Sequence, residues 1–319
     1  MTQYDIFNGD ADGICALQQL RLVLPCDDAV LVTGVKRDIS LVKQVNAQAN
    51  DRLTILDISL DKNIDGVKTA LETGAHIEYY DHHYAGEIPT HPNLTAHINT
   101  AKDTCTSLIV SKTLGHAHRL WAIVGAFGDN FEEPACELAQ QEGLSESQTN
   151  ELKQLGEAIN YNAYGASLDD LHITPQELSK KIRPYHSPFD FIAQDETFSL
   201  LNKGYESDMQ QAQALEADYI SASHSIYLLP DKAWARRVSG VFANLLATTA
   251  PSRAHAMLTE KANGHYLVSV RAPFSTKTGA DELCRQFETG GGRQAAAGIN
   301  DLPPSDYTRF KQAFLAAFN

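Results

Sequence analysis

Residues 53–83 read LTILDISLDKNIDGVKTALETGAHIEYYDHH, and this stretch decides the fold. Residues 53–58 are a β-rich apolar run, 64–72 carry helical spacing, and 75–80 are a second β-prone run. Strands separated by helical patterns of about 10–15 residues argue for βαβ units and a parallel sheet. Upstream, residues 4–7 form a short apolar run that ends in a Gly/Asp-rich turn, followed by a helix-like segment at 14–24. Residues 29–35 (AVLVTGV) are another β-rich run, and the polar stretch 39–48 reads as a helix. Downstream, 108–114 and 120–127 read as buried helices.

From about residue 134 to 217 the pattern is helical and polar, with turn signals near Tyr164-Gly165 and His186. β character resumes at 225–229. Residues 254–258 and 266–271 (YLVSVR) then flank Asn263-Gly264, a favoured hairpin turn. Helical patterns at 238–248, 280–287 and 306–318 complete a small α/β domain. The sequence therefore predicts a first domain at 1–185, a helical connector at 186–221 and a second domain at 222–319.

Of the 319 residues, 43% are hydrophobic and 21% charged, which is ordinary globular usage. No run approaches the roughly 18 apolar residues of a spanning helix. The first residues, MTQYDIFNGD, include Asp5 and no basic cluster, so they do not read as a secretory signal. The five cysteines are scattered without a CxxC pair, which argues against zinc knuckles and a disulfide framework and points to a reducing cytoplasm. The net charge is -14, with 40 acidic against 26 basic residues. Proteins that grip long nucleic acid carry a basic stripe, so a short anionic ligand is the better expectation.

Asp10 and Asp12 (NGDADG) follow the first predicted strand, Asp57 ends the third, and Asp81-His82-His83 ends the next. In an open parallel sheet ligands bind at the carboxyl ends of the strands. Asp129, leaving a buried helix, is placed to reach the same edge. Four packed carboxylates need a positive partner, and divalent metal ions supply it. Oxygen and imidazole donors together suit manganese. His116, His118, His172, His186, His255 and His265 lack acidic neighbours at ligand spacing and read as structural or solvated.

Asp10-x-Asp12, Asp57, Asp81-His82-His83 and Asp129 resemble the four ordered motifs of the DHH phosphoesterases. VSVRAP (268–273) and GGGRQAAAG (290–298) resemble the companion DHHA1 domain, so the likeness spans nearly the whole chain. It implies an α/β protein: a parallel-sheet DHH domain, a helical connector and a smaller α/β DHHA1 domain, with the active-site cleft between them. It also implies two manganese ions, one on Asp10 and Asp57, the other on Asp12, Asp57, His82 and Asp129, with Asp57 bridging. Asp81 would orient a histidine, and His83 would face the scissile phosphate and assist the leaving oxygen. A shared hydroxide between the ions would attack phosphorus in line, leaving a 3′-hydroxyl and a 5′-phosphate.

The chain departs from the pattern in three places. Ile6 stands where many members carry a histidine, and Asn8 where RecJ-like exonucleases carry an aspartate, so Asn8 or water would complete the first ion's shell. Arg293 replaces the usual histidine after the glycines. Gly290, Gly291 and Gly292 would let backbone approach a ligand, as in phosphate-cradling turns. Arg271 and Arg293 are candidates for phosphate and base contacts, since arginine offers a bidentate fork. Thr106 and Ser107 precede a helix, where capping is the default role and phosphate binding the alternative.

The sequence thus points to a manganese-dependent phosphodiesterase of short linear dinucleotides, pGpG foremost. Long nucleic acid and membrane are not expected as partners, and a homodimer is left open. Two alternatives stand beside it: a broad nanoRNase with phosphoadenosine phosphatase activity, and a non-catalytic dinucleotide sensor.

Overall fold

A computed structural model describes residues 1–318 of the chain. They form two compact units, Met1–Lys203 and Gly204–Asn319, so the expected connector 186–221 is divided between them.

The first unit is built on β1 (Gln3–Phe7), α1 (Ala11–Val23), β2 (Val30–Val32), β3 (Arg52–Leu56), α2 (Leu60–Glu72), β4 (His76–Asp81) and β5 (Leu94–Ile98). All five strands are parallel, in the order β2-β1-β3-β4-β5. Side chains alternate across the sheet as the two-residue period of a strand demands. Leu53, Ile55, Ile77 and Tyr79 pack with Val67 and Leu71 of α2 on one face. Phe7, Leu56 and Tyr80 join the other core, around α1 and Trp121.

That second face is covered by α3 (Thr106–Thr113), α4 (Arg119–Gly128), α5 (Glu132–Gln141), α6 (Glu146–Asn162), α7 (Pro175–Ile182) and α8 (Pro188–Gln194), followed by α9 (Glu196–Gln213). α4 reads RLWAIVGAFG and is buried almost throughout, packing against α1 and α6. Its approach is close: a Cβ on Gly128 would sit 2.3 Å from the Ala11 Cβ and 2.8 Å from the Gly156 carbonyl. Beneath the sheet, Arg21 of α1 grips the buried Asp5 carboxylate with two donors, Nε and Nη2. The bidentate geometry compensates a charge that burial would otherwise penalise.

Two expectations fail here. Residues 39–48 hold only one 3-10 turn, Val42–Gln44, because Asn63 of α2 competes for the backbone. Its Oδ1 accepts from the Val42 amide at 3.2 Å and its Nδ2 donates to the Ile39 carbonyl at 2.7 Å. The helix α1 begins at Ala11, inside the segment read as a turn, because Asp10 caps it by accepting from the amides of Asp12 and Gly13. Gly13 fits there because a Cβ would lie 2.3 Å from the Asn8 carbonyl oxygen.

The second unit carries β6 (Tyr219–Ile220), β7 (His224–Leu229), α10 (Ala233–Thr249), β8 (Ala254–Glu260), β9 (Tyr266–Arg271), α11 (Ala280–Cys284), β10 (Gly290–Arg293), β11 (Ala296–Leu302) and α12 (Tyr307–Ala317). Its sheet runs β10-β11-β9-β8-β7-β6, with β7 and β8 parallel and joined through α10. Ile226, Leu258, Val268 and Val270 form its core with Phe310 and Phe314 of α12. β8 and β9 make the anticipated hairpin, but the pairing closes at Glu260–Tyr266, so its loop is longer than two residues. The glycines 290–292 form a strand instead of a phosphate-cradling turn, pairing antiparallel with 297–299 of β11. Among the described residues no helix is long and apolar enough to cross a membrane.

Candidate metal centre

The strand order reverses between β1 and β3, the place where open parallel sheets leave a crevice at their carboxyl edge. Asp10 and Asp12 lie just past β1, Asp57 just past β3, and Asp81 ends β4. Asp57 adopts a left-handed backbone, φ 60°, while its amide donates to the Tyr80 carbonyl at 3.0 Å. Asp129 is the C-cap of α4.

These elements bring together the side chains of Asp12, Asp57, His82 and Asp129. The His82 Nε2 lies 3.5 Å from Asp57 Oδ1, 3.5 Å from Asp129 Oδ2 and 4.0 Å from Asp12 Oδ2. It is buried and has no hydrogen-bond partner. A buried imidazole nitrogen left without a partner and facing three carboxylate oxygens suits a divalent cation: Asp12, His82 and Asp129 bring one ligand atom each within 4.8 Å of one another, as do Asp57, His82 and His83. Burial, followed by the charges of Asp12, Asp10, Asp129 and Asp81, pushes the Asp57 carboxyl well above the usual carboxylate range. Burial also raises Asp129, with Lys36 working against it.

The surroundings hold these side chains in place. Asp12 Oδ2 accepts from the Thr106 amide and Oδ1 from the Ser107 amide, both at 2.7 Å, so Asp12 occupies the N-terminus of α3. Thr106 Oγ1 donates to Asp57 Oδ1 at 2.9 Å. Thr106 and Ser107 are fully buried. Their donors are spent on two carboxylates of the centre. Asp81 is fully buried, and its Oδ1 pairs with His83 Nδ1 at 2.8 Å. Burial disfavours the His83 imidazolium, but the hydrogen bond and charge of Asp81 outweigh it and raise the pKa. The His83 side chain is 45% exposed, so its outer edge is open to solvent.

Two residues complete the centre that the sequence did not flag, Lys36 and Asn160. Lys36 follows β2, and its ammonium contacts Asp10 Oδ2, Asp129 Oδ1 at 3.1 Å and Asn160 Oδ1 of α6 at 2.9 Å. Burial works against that charge, while Asp10, Tyr164 and Asp129 hold its pKa well above the ordinary value. Asp10 is buried too, yet Lys36 and the capping amides bring its carboxyl below the usual range. Asn8 is buried nearby, with Nδ2 donating to the Lys36 carbonyl at 3.5 Å and Oδ1 unpartnered. Ile6 is packed in the core on the α2 side of the sheet. The position of Lys36, just beyond the carboxyl end of a strand, was the signal that could have found it.

No family model matches the sequence, and no curated protein matches it. Solved structures do match. Exonuclease RecJ bound to manganese is 16% identical with a TM-score of 0.65, the alignment covering 99% of this chain and 89% of that one. The DHH domain of a member of a family of ribosomal proteins is 13% identical with a TM-score of 0.63, covering 99% and 86%. This chain has the DHH fold. The pGpG-specific phosphodiesterase PggH from Vibrio cholerae matches over 99% of this chain and 100% of its own, at 15% identity and a TM-score of 0.59.

In the second unit of this DHH-fold chain, Arg271 ends β9, its Nε donating to Asn244 Oδ1 at 3.0 Å and its Nη1 to the Val270 carbonyl at 3.2 Å. Arg293 ends the edge strand β10 and is exposed, as is Gly292. Gly290 has no room for a side chain, since a Cβ would lie 1.7 Å from the Cys284 carbonyl oxygen. Its glycine is therefore required by packing. Gly291 has no such neighbour.

Proposed function

We propose that the protein is a metal-dependent phosphodiesterase that hydrolyses short linear nucleotides, pGpG foremost, to 5′-mononucleotides. The observation that carries this reading is the unpartnered His82 Nε2 among the carboxylates of Asp12, Asp57 and Asp129, at the carboxyl edge of a parallel sheet. Those residues would hold a divalent ion, and the mixed oxygen and imidazole donors favour manganese. Once bound, such an ion polarises a phosphoryl oxygen and lowers the pKa of water.

The chain's own groups do the rest. Asp12 is fixed by two backbone amides and Asp57 by the Thr106 hydroxyl, so the ligands are oriented before any ion arrives. Asp81 accepts from His83 Nδ1–H, which leaves the proton on His83 Nε2 as the one to be given to the departing 3′-oxygen. That second proton belongs to the imidazolium form, which the hydrogen bond and charge of Asp81 favour against burial. Arg293, exposed at the tip of a hairpin, is assigned the guanine edge or terminal phosphate, with Arg271 beside it on the same sheet.

The net charge of -14 supports a dinucleotide over a long strand, which would be repelled. The cysteines, all free, support a reducing cytoplasm. Hydrolysis of pGpG and pApA with manganese, by wild type and D57N side by side, tests the reading. Asparagine is the choice at position 57 because it tolerates the left-handed backbone there. Fast pGpG cleavage lost in D57N supports the proposal, and the pGpG to pApA ratio reports the specificity. Equal rates on all dinucleotides would favour a broad nanoRNase. Tight binding without cleavage would favour a sensor.

A further inference from the structure

The donors around Asp10 do not fit a second divalent ion. The DHH resemblance calls for one on Asp10 and Asp57, but Asp10 has both oxygens engaged. Its Oδ1 accepts from the amides of Asp12 and Gly13 at 3.1 and 3.2 Å, and its Oδ2 meets the Lys36 ammonium. An ammonium has three N–H donors. Those of Lys36 find three acceptors: Asp10 Oδ2, Asp129 Oδ1 and Asn160 Oδ1. No donor is left over, and none of the three contacts depends on a solvent molecule.

The charge balance agrees. Asp10, Asp12, Asp57 and Asp129 carry four negative charges when ionised. One divalent ion with Lys36 offsets three of them. Two divalent ions with Lys36 would exceed all four and place a doubly charged ion against an ammonium. The residues that would favour a second ion are also missing. Ile6 is packed in the core on the α2 side of the sheet, and the neutral Asn8 stands where RecJ-like exonucleases carry an aspartate. Asn8 Nδ2 donates to the Lys36 carbonyl at 3.5 Å while its buried Oδ1 stays unpartnered, and the Lys36 amide donates to the Ala163 carbonyl at 2.9 Å. The loop that delivers the ammonium is thereby pinned to the end of β1 and to the end of α6.

We propose that Lys36 takes the place of one of two metal ions, so that the centre binds a single divalent ion per chain beside a built-in cation. Lys36 is a positioning residue: it neutralises Asp10 and turns Asp129, leaving Oδ2 of that residue directed at His82. This inference rests on the Asp12–Asp57–His82–Asp129 ion assigned above, and metal counting separates the two.

The test is manganese titration by calorimetry, metal analysis after dialysis and the electron paramagnetic resonance spectrum of the loaded protein. Wild type is expected to bind one ion and give the six-line spectrum of an isolated manganese. In K36M the freed Asp10 carboxylate, with Asp57, is expected to take up a second ion at least tenfold more tightly than wild type does, with a spin-coupled spectrum. K36R, which retains the charge, is expected to remain at one ion and guards against loss of fold in K36M. Two ions and a coupled spectrum in wild type would overturn the inference while leaving the hydrolase reading intact. One ion in a folded K36M would also overturn it, since Lys36 would then not be what excludes the second. No manganese bound by wild type would overturn both.

Discussion

Asp12 and Asp57 face the same imidazole nitrogen, yet their neutralisation should change stability in opposite directions when no metal is bound. In D12N one carboxylate oxygen becomes an NH2 group. The two amides of Thr106 and Ser107, each 2.7 Å from an Asp12 oxygen, then share a single acceptor. A buried donor left unsatisfied costs about 1–3 kcal/mol. Loss of a negative charge at a helix N-terminus adds about 0.3–1 kcal/mol. Relief of repulsion against Asp57 returns part of this, so a net loss of about 1–3 kcal/mol is expected.

In D57N the amide oxygen still accepts from Thr106 Oγ1, and the left-handed backbone suits asparagine. Only the repulsion from Asp12, Asp10, Asp129 and Asp81 is removed. D57N should therefore gain on the order of 1–2 kcal/mol over wild type. For a unit of this size 1 kcal/mol moves Tm by about 2–4 °C, so the two variants should melt roughly 5–15 °C apart. The assay is thermal unfolding by circular dichroism in EDTA at pH 7. Because burial and its neighbours raise the folded-state pKa of Asp57, the ionised form is the penalised one. The penalty is absent below the unfolded value near 4 and grows as pH rises above it. The advantage of D57N should accordingly shrink towards pH 4. Equal melting of D12N and D57N in EDTA, or a D57N less stable than wild type at pH 7, would refute the reasoning.

G128A should destabilise the first unit by about 1–3 kcal/mol despite the better helix propensity of alanine, because the Gly156 carbonyl it would meet at 2.8 Å is backbone and cannot step aside. A melt showing G128A at least as stable as wild type would contradict that packing. H83Q should lower kcat by about 10²–10⁴-fold while manganese affinity stays within a few-fold of wild type, measured by steady-state kinetics and calorimetry. A parallel loss of metal would instead make His83 a ligand. In the second unit, the hydrogen bonds of Asp301 with Lys261 and His265 bring its pKa down to about 2. That pairing contributes stability above the unfolded value near 4, lost as pH falls towards 2. A carboxyl resonance titrating near 4 in the folded protein would show the pairing absent in solution.

The parallel sheet was legible because β3 and β4 carry their own pattern: LTIL and IEYY are strongly β-prone, and α2 between them has an apolar face toward the core. β5 was not, since LTAHI is a short edge strand with no fully buried residue. The helix expected at 39–48 failed because Asn63, distant in sequence, takes up its backbone groups. The glycine run is less specific. Glycine signals close approach without saying of what, and at Gly290 the approaching group is the chain's own Cys284 carbonyl. The acidic cluster was legible because strand ends and motif spacing are local properties. The contact of Thr106 and Ser107 with Asp12 was not legible, because their partner lies 94 and 95 residues away.

Lys36 illustrates why the charge balance of such a centre escapes a motif. The acids of the centre come at the ends of β1, β3, β4 and α4, each at a spacing set by its own element. The cation opposing them bonds Asp10, Asp129 and Asn160 at sequence separations of 26, 93 and 124 residues. A lysine after a strand is ordinary until those three oxygens converge on it. Convergence is a property of the sheet order: β2 lies beside β1, so the loop after β2 emerges next to Asp10. The same adjacency makes the number of ions a local matter for this chain. Because Asp10 is already neutralised by a group of the protein, ion count depends on one side chain in the β2 loop, and the fold alone does not fix it.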